Sequence, residues 1–215
     1  IGSAYGAALG VVAADFNGDG RTDFYVANDA VENLLWLDRG DGTFVNHALL
    51  AGVAVNGDGQ SEASMGVDAE DFDHDCDVDL FMTNLAAETN TLYVNDDDGW
   101  FMDHSNSSGI AAGSAPFTGF GAGWLDVDND GDLDLFSANG AVTALPDQLA
   151  AGMQHPFRQV NQIWLNDGRG RYRETDAGPA FQLAEVSRGA AFGDLDNDGD
   201  IDIVVSNNQG RARLY

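Results

Sequence analysis

The stretch "SRGAAFGDLDNDGDIDIVVSNN", residues 187–208, decides how the chain is read. Five aspartates stand at alternate positions from Asp194 to Asp202, and a short apolar, β-branched run follows them directly. Carboxylates this close repel one another, so a chain that keeps them needs something to offset the charge. Gly199 can bend the aspartate run, and Asn207 closes the apolar one.

The same pattern occurs four times. "DFNGDGRTD" (15–23), "DFDHDCDVD" (71–79), "DVDNDGDLD" (126–134) and "DLDNDGDID" (194–202) align without a gap. Each has a glycine five residues before its first aspartate: Gly10, Gly66, Gly121 and Gly189. Each has an asparagine five residues after its last: Asn28, Asn84, Asn139 and Asn207. A second signature follows, "LLWLDRGDGTF" (34–44), "TLYVNDDDGWF" (91–101) and "QIWLNDGRGRY" (162–172), which is apolar strand, turn and aromatic strand. The final "RLY" reaches the matching aromatic at Tyr215. The third unit is longer by the insertion "AVTALPDQLAAGMQHPFRQV" at 141–160, with room for a short helix.

Each unit therefore reads as strand, aspartate loop, strand, connection, strand, turn, strand. Four short strands per repeat are the pattern of a propeller blade. The expected fold is all-β: a β-propeller of four-stranded blades, with about three and a half to four blades present. Residues 1–215 form a single β-propeller region, with repeats at approximately 9–64, 65–118, 119–186 and a truncated 187–215. Residues 1–8 offer no spare strand to complete the fourth unit, so the expectation is an arc of a larger propeller with blades missing at one or both ends. A self-standing small propeller and an open solenoid are the alternatives.

Composition points to cations. The formal net charge is −27, from 36 acidic and 9 basic residues. The acids are 30 Asp against 6 Glu, and every basic residue is Arg. Short acidic side chains in such excess belong in loops, where they cap, turn and ligate. Nucleic acid and membrane insertion are excluded as partners by charge and by the absence of a long apolar run. The opening "IGSAYGAALG" has no Met and no leader pattern, and reads as a mature or cut product. One cysteine, Cys76, rules out a disulfide framework.

Carboxylates or amides at positions 1, 3, 5, 7 and 9 of a loop bent at position 6 can converge on one point. Six to eight hard oxygen ligands are what calcium takes, whereas magnesium prefers few carboxylates and several waters. The flanks read as strands, and position 12 is Val26, Met82, Ser137 or Val205 instead of the glutamate an EF-hand requires. Regularly spaced cysteines, which thrombospondin-type repeats carry, are absent.

The "DxDxDGDxDL" loops with their leading glycine, and the "NxLYxNDGxGxF" hairpins, resemble FG-GAP/VCBS-type repeats of the cartilage-acidic-protein and ASPIC/UnbV group. The resemblance covers essentially the whole chain. It implies an integrin-α-like β-propeller, commonly seven-bladed, with Ca2+ in loops between the first two strands of a blade, here up to four ions. It implies a secreted, extracellular or cell-surface setting, or a bacterial periplasm or envelope, and a role in adhesion or ligand binding. Partners are then a protein or glycan ligand and the remaining propeller blades, from the same or another chain. Carried over by position, the first site is Asp15, Asn17, Asp19, the Arg21 carbonyl and Asp23. The second is Asp71, Asp73, Asp75, the Asp77 carbonyl and Asp79. The third is Asp126, Asp128, Asp130, the Asp132 carbonyl and Asp134. The fourth is Asp194, Asp196, Asp198, the Asp200 carbonyl and Asp202. Asn17 leaves the first loop with fewer ligand charges, which predicts the weakest calcium binding there.

No catalytic constellation is visible, and none is expected. The runner-up function is the propeller portion of a calcium-dependent polysaccharide lyase or other secreted enzyme. Other features have ordinary readings. "RGD" at 39–41 fills a hairpin turn, and "VNGDGQSEAS" (55–64) resembles a fifth calcium loop but reads as a connection. His47 and His104 follow equivalent strand positions and read as packing or surface structure, while Trp36, Tyr93, Trp164 and Tyr215 read as core between blades. Cys76 replaces the glycine of position 6, where a positive φ would make any side chain costly.

Overall fold

A computed structural model describes residues 6–97, 99–144 and 149–215, the side chain of Asp97 excepted. The chain folds as successive antiparallel meanders. β1 (Ala8–Ala14), β2 (Asp23–Asn28), β3 (Leu34–Asp38) and β4 (Phe44–Asn46) form the first sheet. β5 (Val67–Glu70), β6 (Asp79–Met82), β7 (Thr91–Asp97) and β8 (Trp100–Asp103) form the second. β9 (Gly119–Leu125), β10 (Asp134–Asn139), β11 (Gln162–Asn166) and β12 (Tyr172–Thr175) form the third. The fourth has three strands: β13 (Ser187–Gly193), β14 (Asp202–Asn207) and β15 (Arg213–Leu214). The sheets are the blades of a propeller arrangement. Their first strands lie side by side, β1 against β5, β5 against β9 and β9 against β13.

The repeated glycines make that approach possible. A Cβ on Gly10 would stand 2.6 Å from the Met65 carbonyl oxygen, and one on Gly66 would stand 2.4 Å from that of Phe120. On Gly121 it would stand 2.6 Å from the Ala190 nitrogen. Each glycine lets the next blade's first strand pass over its backbone, at a distance no side chain permits.

Strand alternation gives every sheet two apolar faces, one for each neighbour. Phe16, Tyr25 and Leu35 of blade one pack on Leu80, Met82, Tyr93 and Phe101 of blade two. Phe72, Phe81 and Leu92 then pack on Trp124, Leu135, Trp164 and Tyr172 of blade three. Phe136 and Ile163 pack on Ile203 and Val205 of blade four, with Phe192 and Tyr215 at the edge. Tyr93 and Trp164 are core between blades, as the repeat predicts, and Tyr215 is partly so. Trp36 is not: it lies half-buried on the uncovered face of blade one, where no preceding blade meets it.

The asparagines at the ends of the second strands are ties. Their Nδ2 atoms donate to main-chain oxygens just before the third strand: Asn28 to Glu32 (2.7 Å), Asn84 to Thr89 (2.7 Å), Asn139 to Val160 (3.0 Å) and Asn207 to Arg211 (2.8 Å). Three single-turn helices, α1 (Ala48–Ala51), α2 (Ser105–Ser108) and α3 (Ile110–Ser114), lie in the links between blades. His47 and His104 stand at the starts of α1 and α2, and their carbonyls accept from Ala51 and Ser108, both at 2.8 Å. Part of the 141–160 insertion, residues 145–148, lies outside the described residues, and with it part of the possible helix. No helix among the described residues is long and apolar enough to cross a membrane.

Candidate metal centres

Each aspartate loop joins the first two strands of its blade and is folded by its own carboxylates. The position-1 carboxylate accepts main-chain N–H groups from across the turn. Asp71 takes those of Asp75 and Cys76 (both 3.1 Å), and Asp126 takes those of Asp130 (3.1 Å) and Gly131 (3.0 Å). Asp15 takes Asp19 (3.1 Å) and Gly20 (2.7 Å), and Asp194 takes Asn197 (2.6 Å) and Gly199 (3.1 Å). Position 5 accepts from the N–H of position 7: Asp19 from Arg21 (3.0 Å), Asp75 from Asp77 (2.9 Å), Asp130 from Asp132 (2.9 Å) and Asp198 from Asp200 (3.0 Å).

Position 9 begins the second strand and braces the blade. One oxygen of Asp23, Asp79, Asp134 and Asp202 accepts the N–H of position 2, at 2.8–3.3 Å. In the first three blades the other oxygen accepts an N–H from the third strand, Asp38, Asn95 and Asn166, each at 2.8 Å. These three aspartates are buried. Burial raises the pKa of Asp23 and Asp134, and pushes that of Asp79 up to about 8. Like charge acts in the same direction at Asp196, chiefly from Asp198.

In three loops, positions 1, 3 and 9 converge: Asp71, Asp73 and Asp79; Asp126, Asp128 and Asp134; Asp194, Asp196 and Asp202. Each trio offers oxygens within 4.8 Å of one another, and hard oxygens so gathered suit a divalent cation. Position 5 falls outside these trios, its carboxylate engaged with the turn. Two position-7 side chains are engaged elsewhere: Asp200 accepts from Asn129 of the neighbouring loop (3.0 Å), and Asp132 lies beside Gly168. The first loop differs. Asn17 removes one carboxylate, and the Arg21 guanidinium pairs with Asp19 and donates to the Asp38 carbonyl (2.9 Å). A resident cation of the chain's own thus occupies that loop's charge.

The sequence pattern marks the loops but not two of their supports. The third-strand braces on position 9 join residues 15 to 32 apart, so they have no local signature. In the first two loops position 2 is an anchor: Phe16 and Phe72 are buried in the blade interfaces, and Phe72 stacks on Trp124 with centroids 6.0 Å apart, whereas Val127 and Leu195 of the other two loops are exposed. Adjacent loops also touch, through His74 Nε2 and the Gly131 carbonyl (3.2 Å).

The chain is 25% identical over 211 residues to cartilage acidic protein 1 of Homo sapiens and to that of Mus musculus. The match covers 98% of this chain but spans only 30% of the length of those relatives. Among solved structures it is similar to an Agrocybe aegerita lectin that recognises non-reducing terminal N-acetylglucosamine, at 18% identity and a TM-score of 0.46, over 94% of this chain and 50% of that one. A model of the FG-GAP-like repeat matches residues 15–82, 71–137 and 145–205, and on that coverage the chain belongs to the FG-GAP-like repeat family.

Proposed function

We propose that the chain is a calcium-binding, extracellular β-propeller module, in which the ions are structural and the blades present loops for adhesion or ligand binding. The convergence of three carboxylates in each of three loops carries this reading. Calcium would offset the repulsion among these acids and, in the second loop, fix a turn whose second residue, Phe72, is an interface anchor. Chelation would therefore loosen the joint between blades two and three as well as the loops. The test is a thermal melt in calcium, in magnesium and in chelator. The reading predicts a higher melting temperature in calcium than in either of the others. A melting temperature unchanged by chelator would refute it.

We also propose that further blades, from the same chain or another, cover both ends of the array. Val11 and Phe24 of blade one are 64% and 37% exposed, whereas their counterparts Val67 and Leu80 in blade two pack against blade one. Leu195 and Leu214 of blade four are 58% and 63% exposed, whereas their counterparts Phe72 and Leu92 are buried. Gly189 supports the same reading. It stands where Gly10, Gly66 and Gly121 admit a neighbouring strand, yet a Cβ there would meet only the Ser206 hydroxyl, at 3.3 Å.

A further inference from the structure

We propose that a groove beside blades three and four, between residues 141–142 and 157–158 on one side and the turn at 207–210 on the other, binds a peptide segment of a protein partner. The recognised group is a carboxylate next to an aliphatic side chain. This deepens the ligand-binding reading and rests on it for there being a partner, but it does not depend on calcium.

Two adjoining cavities, of about 310 and 430 Å³, share Val186, Asn208 and Gln209 and so form one groove. The smaller is polar. Arg158, Asn208 and Gln209 line it and are exposed, and the Arg158 charge also acts on Glu185. The one carboxylate among its described lining residues, Glu185, is already held by Arg213 through two bonds of 2.7 Å and by Asn207 at 3.1 Å. The larger cavity is lined by Arg188, Val142 and Phe157, the last two 48% and 42% exposed. Arg188 donates to the carbonyls of Gly140 (2.6 Å) and Ala141 (3.0 Å) and lies 4.3 Å over the Phe120 ring. It has no carboxylate partner among the described residues.

On a chain of net charge −27, the described lining of this groove carries two arginines, Arg158 and Arg188, beyond the Arg213–Glu185 pair, which makes a local positive site. A comparable place on blade two has the opposite character. Glu62 stands four residues before Gly66, as Glu185 does before Gly189, and it too accepts from the second-strand asparagine, Asn84, at 3.1 Å. The cavity there, about 200 Å³, is lined by Asp58, Glu62 and Asp103 and by no arginine. A carboxylate is thus drawn to blade four and repelled from blade two. Guanidinium with carboxamides suits a carboxylate, and the valine and phenylalanine end suits an aliphatic group. A single half-exposed phenylalanine makes a poor stacking platform for sugar rings, which favours a peptide.

The probe is N-acetyl-L-leucine, titrated into the full chain in calcium and followed by amide chemical shifts. Shifts should concentrate at 157–158, 183–188 and 207–213. N-acetyl-L-leucinamide, which lacks the carboxylate, should bind about tenfold more weakly, as expected for losing a charge-assisted hydrogen bond. Arg158→Gln, at an exposed residue, should weaken the acid similarly, and Arg169→Gln in a distant hairpin turn should leave it unchanged. Absence of shifts at tens of millimolar, or equal binding of acid and amide, would overturn the assignment. Tighter binding of D-glucuronate in the same groove would overturn the peptide in favour of a glycan. If these arms fail while chelation still lowers the melting temperature, only the groove assignment falls.

Discussion

Two backbone positions in each aspartate loop take the left-handed conformation, the fourth and the sixth. Position 4 is Gly18, His74, Asn129 and Asn197, with φ between 59° and 69°, and position 6 is Gly20, Cys76, Gly131 and Gly199, with φ between 79° and 98°. Glycine and asparagine tolerate this region, and other side chains cost about 1 kcal/mol or more. The second loop alone departs at both positions. A Cβ at Gly20, Gly131 or Gly199 would meet nothing within 4 Å, so the cost at Cys76 is conformational and not a clash. Cys76→Gly should raise the unfolding free energy by about 1 kcal/mol in urea titrations and tighten calcium at that loop. Phe72 tests the opposite direction. Truncation to alanine empties the contact with Trp124 and should cost about 3–5 kcal/mol, with weaker calcium binding at the second loop as the anchor is lost.

Within one blade, the buried position-9 aspartate links the metal loop to the third strand and makes stability depend on pH. Asp79 has a folded pKa of about 8 against an ordinary 3.8, chiefly from burial. Between those values the folded state holds a proton that the unfolded state releases, so stability of the calcium-free chain should fall as pH rises from about 4 to 8. Calcium favours the ionised carboxylate and should remove that fall, so its stabilisation grows with pH. Urea titrations at pH 5 and pH 8, with calcium and with chelator, check the sign. In the first loop, Arg21→Ser would free Asp19 and should tighten calcium there, read by comparing titrations of variant and parent. The loops, glycines and asparagines were legible in the sequence because each answers a backbone constraint repeated four times. The braces from Asp38, Asn95 and Asn166 were not, since they join strands distant along the chain. Nor were the helices, each a single turn without a side-chain cap.

Across the whole array, each joint brings together the same two kinds of face, and the outermost faces go uncovered. Trp36 shows what sequence cannot supply at this scale: its strand and orientation follow from the repeat, but its burial depends on a neighbour. Replacing both Val11 and Phe24 with serine should shift the unfolding free energy by less than about 1 kcal/mol in urea titrations. Leu80→Ser, the equivalent change at a covered joint, should cost several times as much, about 2–5 kcal/mol. Uniform joints have a consequence for how such chains change over generations. Because the glycine that admits the next strand travels within the same repeat as the faces on either side of it, a duplicated or deleted unit arrives with its fittings already matched. Blade number can then shift by a single recombination in the gene, with no new contact surface to be invented.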